Sequence, residues 1–180
     1  MRYCIIIRFY NAKGLVIVVN IALCGFMGAG KTSVGRELAK LTGRKFVDTD
    51  DLAEKEEKMT VSRIFAEKGE DYFRGLEYEM CKKAANLNGA VISTGGGAMT
   101  FERNVKAVKQ GAKVVFIDTS FDVICQRVGS ASTRPLFKNR ENAKKLFDER
   151  REKYLNAADF VVNGNRSVKK IALEIAELVK

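Results

Sequence analysis

One octapeptide, Gly25-Phe-Met-Gly-Ala-Gly30-Lys31-Thr32, constrains this chain more than any other feature. It fits the G-x-x-x-x-G-K-[ST] pattern of a phosphate-binding loop, which needs a strand before it and a helix after it. Both flanks agree. Val16–Cys24 is apolar with no helical period and reads as a buried strand, and Lys31–Leu41 reads as a helix ended near Gly43. The glycines let backbone N–H groups point inward and cradle phosphate oxygens at a helix N-terminus. The Lys31 ammonium can reach the β- and γ-phosphates, and the Thr32 hydroxyl can ligate Mg²⁺. Gly28, Ala29, Gly30, Lys31, Thr32 and Ser33 are therefore the expected ATP-binding stretch. The competing explanation is a structural Gly-rich turn.

Downstream, short apolar runs alternate with amphipathic ones. Strands are expected at Lys45–Val47, Ala90–Ser93, Lys113–Asp118 and Phe160–Val162. Helices are expected at Leu52–Lys58, Val61–Lys68 (capped by Thr60), Asp71–Asn86, Phe101–Lys109, Phe121–Val128, Ala143–Asn156 and Val168–Val179. Such alternation implies a parallel sheet covered on both faces. The stretch 129–142 is polar, holds the only proline, Pro135, and reads as a mobile loop. At 180 residues one domain is expected. Residues 1–18 look surplus to that domain, and translation is expected to start at Val19. The N-terminal apolar run imitates a secretory signal, but it is too short to span a bilayer and leads straight into the Gly-rich loop.

Composition removes several chemistries. With no histidine there is no Ser-His-Asp triad, no His-ligated metal and no imidazole base. Cys4, Cys24, Cys81 and Cys125 show neither metal-knuckle nor CxxC spacing, which argues against zinc and thiol-redox roles and fits a reduced compartment. Cys24, beside the loop, reads as a small core residue. The net charge of +10 attracts nucleic acid, anionic membrane or small acidic ligands alike, and charge alone does not choose.

Two sets of acids compete for a metal. Asp118 ends the apolar run Val114-Val-Phe-Ile-Asp118, and Asp48 and Asp50 follow Phe46-Val47. In an extended chain Asp48 and Asp50 share one side, so one could hold the metal and the other a substrate hydroxyl. Helix capping is the plain alternative for that pair, and a cap or turn acid for Asp118. Ser93-Thr-Gly95-Gly96-Gly97 sits at the carboxyl end of a strand, where open parallel sheets bind ligands, and glycines there permit close approach of a ligand to backbone.

The set FMGAGKT, DTD, Phe73-Arg74, GGG, Arg134-Pro135-Leu136 and Arg150-x-x-x-Tyr154, in this order, closely resembles the shikimate kinase family over about residues 19–180. The resemblance implies an α/β fold: a three-layer α/β/α P-loop kinase with a five-stranded parallel sheet, a substrate-binding helical region and a lid at about 129–142. It implies MgATP-dependent phosphorylation of the 3-hydroxyl of shikimate, giving shikimate 3-phosphate and ADP on the route to chorismate. By the same resemblance Asp50 binds the shikimate hydroxyls and faces the attacking oxygen, with Lys31 and Arg134 as its catalytic companions. Asp48 holds Mg²⁺ with Thr32. Arg74 and Arg150 clamp the substrate carboxylate, and Gly95, Gly96 and Gly97 offer backbone. Arg127 stacks on adenine. A monomer in the cytoplasm, without nucleic-acid or membrane partners, is also implied.

The chain departs from the family pattern in two places. The last strand-to-helix loop, Val162-Asn-Gly-Asn-Arg-Ser167, lacks the usual Asp and Pro that pack on adenine, and the segment from Arg134 to Arg150 is compact. Two rival readings are a related small-molecule kinase of gluconate type and a non-enzymatic P-loop protein binding RNA through its positive charge. The first has no use for Arg74, Arg150, DTD and GGG together. The second would need aromatic platforms interleaved with Lys and Arg, and the chain has no tryptophan.

Overall fold

Residues 8–10, 16–129 and 139–179 are described by a computed structural model. In chain order the elements are β1 (Arg8–Tyr10), β2 (Val16–Val18), β3 (Asn20–Cys24), α1 (Lys31–Thr42), β4 (Phe46–Asp48), α2 (Thr49–Glu57), α3 (Val61–Ala85), β5 (Val91–Ser93), a 3₁₀ turn (Ala98–Thr100), α4 (Glu102–Lys109), β6 (Ala112–Asp118), α5 (Phe121–Val128), α6 (Arg140–Ala157), β7 (Phe160–Asn163) and α7 (Val168–Leu178).

Five strands form one parallel sheet in the order β4-β5-β3-β6-β7. Its strands read as continuous apolar runs because both faces are buried. Ile21 and Leu23 face Val34 and Leu38 of α1 and Ile171 and Ile175 of α7. Ala22 and Cys24 face the opposite core, with Cys81, Val108, Phe121, Phe147 and Tyr154. Thus the three-layer α/β/α architecture expected from the sequence is present. From β3 the chain runs first to β4 and β5 on one side and later to β6 and β7 on the other. This reversal opens a crevice beyond the carboxyl end of β3, where the phosphate-loop motif stands.

The apolar run at Val16–Cys24 is not one strand. Val16–Val18 pairs antiparallel with Arg8–Tyr10 in a separate two-stranded sheet, and only Asn20–Cys24 joins the main one. Asn20, 1% exposed, marks the break. Its Nδ2 donates to the carbonyls of Ala85 (2.9 Å) and Leu87 (2.6 Å), and its Oδ1 accepts from the Ala90 amide (2.7 Å). A buried amide so satisfied fixes where the central strand begins.

Other boundaries also shift for local reasons. Helix α2 starts at Thr49 rather than Leu52, because the Asp48 side chain caps it. By contrast, the two helices expected after Thr60 are both present within α3, separated as expected by a kink at non-helical Gly69 (φ 80°, ψ 173°). Residues 140–142, expected in the loop, are the first turn of α6, where Asn139 Oδ1 accepts from the Asn142 amide at 3.0 Å. The remainder of that loop after Gly129, including Arg134, lies outside the described residues.

Candidate active site

The loop between β3 and α1 borders a cleft of about 730 Å³. Gly28, Ala29, Gly30, Lys31, Thr32 and Ser33 line its floor, with Asp48, Asp50, Thr94, Gly96 and Arg127 around them. Gly28 (φ 83°) needs its missing side chain: a Cβ there would lie 2.8 Å from Val128 Cγ2. Lys31 is 9% exposed, and its Nζ donates to the Gly25 (2.8 Å) and Phe26 (3.2 Å) carbonyls of its own loop. The Ala29 carbonyl accepts from Thr119 Oγ1 (3.2 Å) and Arg127 Nη1 (3.1 Å). The loop is thereby held by the end of β6 and by α5, and the N-terminus of α1 opens onto the cleft, a favourable setting for phosphate.

Asp48 serves two neighbours. Its Oδ1 accepts from the Asp50 amide (3.0 Å) and its Oδ2 accepts from Thr32 Oγ1 (3.1 Å). The helix cap weighed for the pair is thus present, and the same carboxylate also meets the Thr32 hydroxyl. The extended geometry expected for Asp50 does not hold: Asp50 sits in the first turn of α2, because the cap curls the chain immediately after Asp48. It still faces the cleft beside Asp48. Burial, and then the neighbouring Asp48 charge, push its carboxyl up to about 6; Lys31 opposes the rise.

The glycine run packs directly on this acid. A Cβ on Gly95 would lie 2.5 Å from Asp50 Oδ1, and a Cβ on Gly97 would lie 3.0 Å from Arg74 Nη1. The Gly95 amide donates to Thr49 Oγ1 (2.9 Å), so the middle residue of DTD ties the two loops together. Arg74, on α3, stands over the Phe101 ring at 4.9 Å and donates to Glu70 (3.0 Å, Nη2) and Glu77 (3.2 Å, Nη1). Glu77 is 3% exposed, and burial raises its carboxyl despite the Arg74 charge that lowers it. From α6, Arg150 Nη1 donates to the Gly96 carbonyl (3.5 Å), as does the Tyr154 hydroxyl. Asp50, Arg74 and Arg150 therefore gather around the glycine run, of which Gly96, like Asp50, lines the cleft.

The cleft is also lined by Arg127, Val128, Arg166, Ser167 and Val168. Arg127 Nη2 donates to the Gly164 carbonyl (2.9 Å), which joins α5 to the loop that lacks the family's proline. Asp118, the rival metal acid, does not line the cleft; Arg151 engages both of its oxygens. Sequence reasoning missed Thr49, Glu77 and Arg166. Only Glu77 left a signal, its i, i+3 spacing from Arg74. Cys24 and Cys81 are buried, and burial pushes both thiols up to about 12, which leaves them as core residues.

The model of the shikimate kinase family matches residues 27–180. A shikimate kinase of Persephonella marina is 40% identical over 157 residues, covering 87% of this chain and 96% of its own. The chain belongs to the shikimate kinase family. Among solved structures, a shikimate kinase from Acinetobacter baumannii in complex with shikimate superposes with a TM-score of 0.83 at 34% identity, covering 89% of this chain and 92% of that one. A gluconokinase from Sinorhizobium meliloti reaches only 0.52 at 16% identity, which shows a shared fold and nothing finer. A shikimate kinase is an ATP-dependent enzyme, so family membership disfavours the non-enzymatic RNA-binding reading. Among the described residues no helix of this kinase is long and apolar enough to cross a membrane.

Proposed function

We propose that this chain transfers the γ-phosphoryl group of ATP to the 3-hydroxyl of shikimate, and that the site residues divide the work as their positions suggest. The observation that carries the reading is the placement of Asp50, in the cleft with Lys31 on one side and against Gly95 on the other. An acceptor hydroxyl bonded to this carboxylate faces the phosphate loop. In the transfer the bond from Pγ to the β,γ-bridging oxygen breaks, a bond to the acceptor oxygen forms, and the hydroxyl proton passes to the Asp50 carboxylate. Phosphoryl transfer has a loose transition state and asks mainly for alignment and charge neutralisation. Lys31 supplies positive charge at the β- and γ-oxygens.

Arg74 and Arg150 take the substrate carboxylate, a task for which planar guanidinium forks are suited. Gly95, Gly96 and Gly97 let the substrate ring lie against backbone. Arg127 packs on the base, with Ser167 and Val168 opposite it in place of the missing proline. The donor set also fits a magnesium ion. No trio of His, Cys, Asp or Glu among the described residues forms a metal cage. Thr32 and Asp48 supply two oxygen ligands at one point on the cleft wall, which suits an ion whose other ligands are phosphate oxygens and water. When bound, that ion neutralises charge on the β- and γ-phosphates.

A coupled ADP-release assay with MgATP tests the function, comparing shikimate, quinate, gluconate and buffer. Turnover that requires shikimate is expected; ADP release without any acceptor would overturn the reading. The clamp has its own test. Arg150→Lys should raise KM for shikimate about tenfold, because one bidentate ion pair is worth about 1.5–3 kcal/mol, and leave KM for ATP in place. An unchanged shikimate KM would remove Arg150 from the clamp.

A further inference from the structure

Asp118 ends β6 next to Thr119, which braces the phosphate loop, yet Asp118 turns away from the cleft. Arg151 Nε donates to its Oδ1 at 3.0 Å and Nη2 to its Oδ2 at 2.6 Å, a two-pronged fit. The pair holds the Arg151 guanidinium above its usual value and links α6 to the end of β6. Arg150, the preceding residue on α6, is held differently. Its hydrogen bond to the Gly96 carbonyl is 3.5 Å long, and it stands 6.0 Å from the Phe26 ring centre. Successive residues leave a helix about 100° apart, so Arg150 and Arg151 depart from α6 towards different neighbours, with the helix face set by buried Phe147 and Tyr154. Arg151 thus reaches the end of β6, and Arg150 reaches the loop after β5.

We propose that the Asp118–Arg151 pair is a latch that pins one turn of α6, whose other face Phe147 and Tyr154 bury in the core, to the end of β6 and so presents Arg150 to the carboxylate of the acceptor. Asp118 and Arg151 are positioning residues: they engage each other, while Arg150 is the one that meets Gly96 on the cleft wall, and each acts through Arg150. The two-pronged bond ties this turn of α6 to β6 in the resting protein. Arg150, whose bond to the Gly96 carbonyl is long and which also faces the Tyr154 hydroxyl and the Glu77 charge, offers its remaining donors to an incoming anion. The inference rests on the assignment of Arg150 to acceptor binding made above.

The test is a double-mutant cycle read as separate KM values for shikimate and ATP. Arg151→Gln and Asp118→Asn should each raise KM for shikimate about fivefold, as befits a partly exposed ion pair, with KM for ATP and kcat within about twofold. The double variant should match the single variants rather than multiply them. Arg151 is 44% exposed, so these proteins should fold, and unchanged melting curves would show it. Three outcomes would overturn the latch: a shikimate KM within twofold of the parent, a multiplicative double variant, or a rise confined to KM for ATP, which would mean that the unpaired Asp118 charge acts on the nucleotide. If the parent chain itself failed to phosphorylate shikimate, the functional reading would fall and the latch with it.

Discussion

Asp50→Asn should lower kcat by about 10³-fold, within the range of a lost general base, while the dissociation constant for ATP stays within about twofold. The nucleotide contacts proposed here lie on Gly28–Ser33 and Arg127, so removing the Asp50 charge leaves them standing. The same substitution should stabilise the unliganded protein. Burial and the Asp48 charge lift the Asp50 carboxyl from 3.8 to about 6, so the folded state binds this proton more tightly than the unfolded chain does. An ionised Asp50 is therefore a cost, present in full above about pH 6 and relieved as the pH falls through that value. At pH 8 the Asn variant should be more stable by up to about 3 kcal/mol, seen as a rise of several degrees in Tm. The gap should close towards pH 4. A variant that loses ATP affinity together with turnover, or that melts below the parent at pH 8, would contradict the assignment.

The burial that raises the Asp50 carboxyl is a tertiary property, and the same divide between local and tertiary causes separates what the sequence shows from what it does not. The phosphate loop was legible because its chemistry is local: eight consecutive residues carry the glycines, the Lys31 ammonium and the Thr32 hydroxyl. The sheet was legible because strands buried on both faces must be apolar throughout. Where apolarity was the only signal, it misled. Nothing in the hydropathy of Val16–Cys24 shows that Asn20 ends one pairing and starts another; three hydrogen bonds to residues 65 to 70 positions away decide it. The helical start at Thr49 was partly legible, because the Asp48 cap reaches only two residues on and capping was the alternative for that pair; its contact with Thr32 is the tertiary part. Asp118 looked like a metal acid until Arg151, 33 residues on, was seen to occupy both its oxygens. Glu77 escaped notice because an acid on a helix resembles a solvated one until burial is known.

Arg74→Met should have the largest effect on the clamp for the substrate carboxylate, and it should act twice. Loss of a bidentate charged contact with the substrate carboxylate costs about 2–3 kcal/mol, or about a hundredfold in kcat/KM for shikimate. It also strands Glu77, which is 3% exposed and whose charge Arg74 balances. Breaking a buried pair from one side typically costs about 3 kcal/mol, because an uncompensated charge stays behind. Burial already raises the Glu77 carboxyl, and Arg74 is the foremost influence lowering it. Without Arg74 it must rise further, so the folded variant gains affinity for a proton and its instability should shrink as the pH falls from 8 towards 5. Adding Glu77→Gln should restore most of the lost Tm at pH 8, since the amide needs no counter-charge and the Asn104 side chain stands 3.4 Å from the Glu77 Oε2 position as a partner. It should not restore kcat/KM for shikimate, because the guanidinium is still absent. Recovery of activity along with stability would mean that Arg74 serves the fold alone; recovery of neither would mean that the aromatic contacts of Arg74 with Phe101 and Phe73 outweigh its pairing with Glu77.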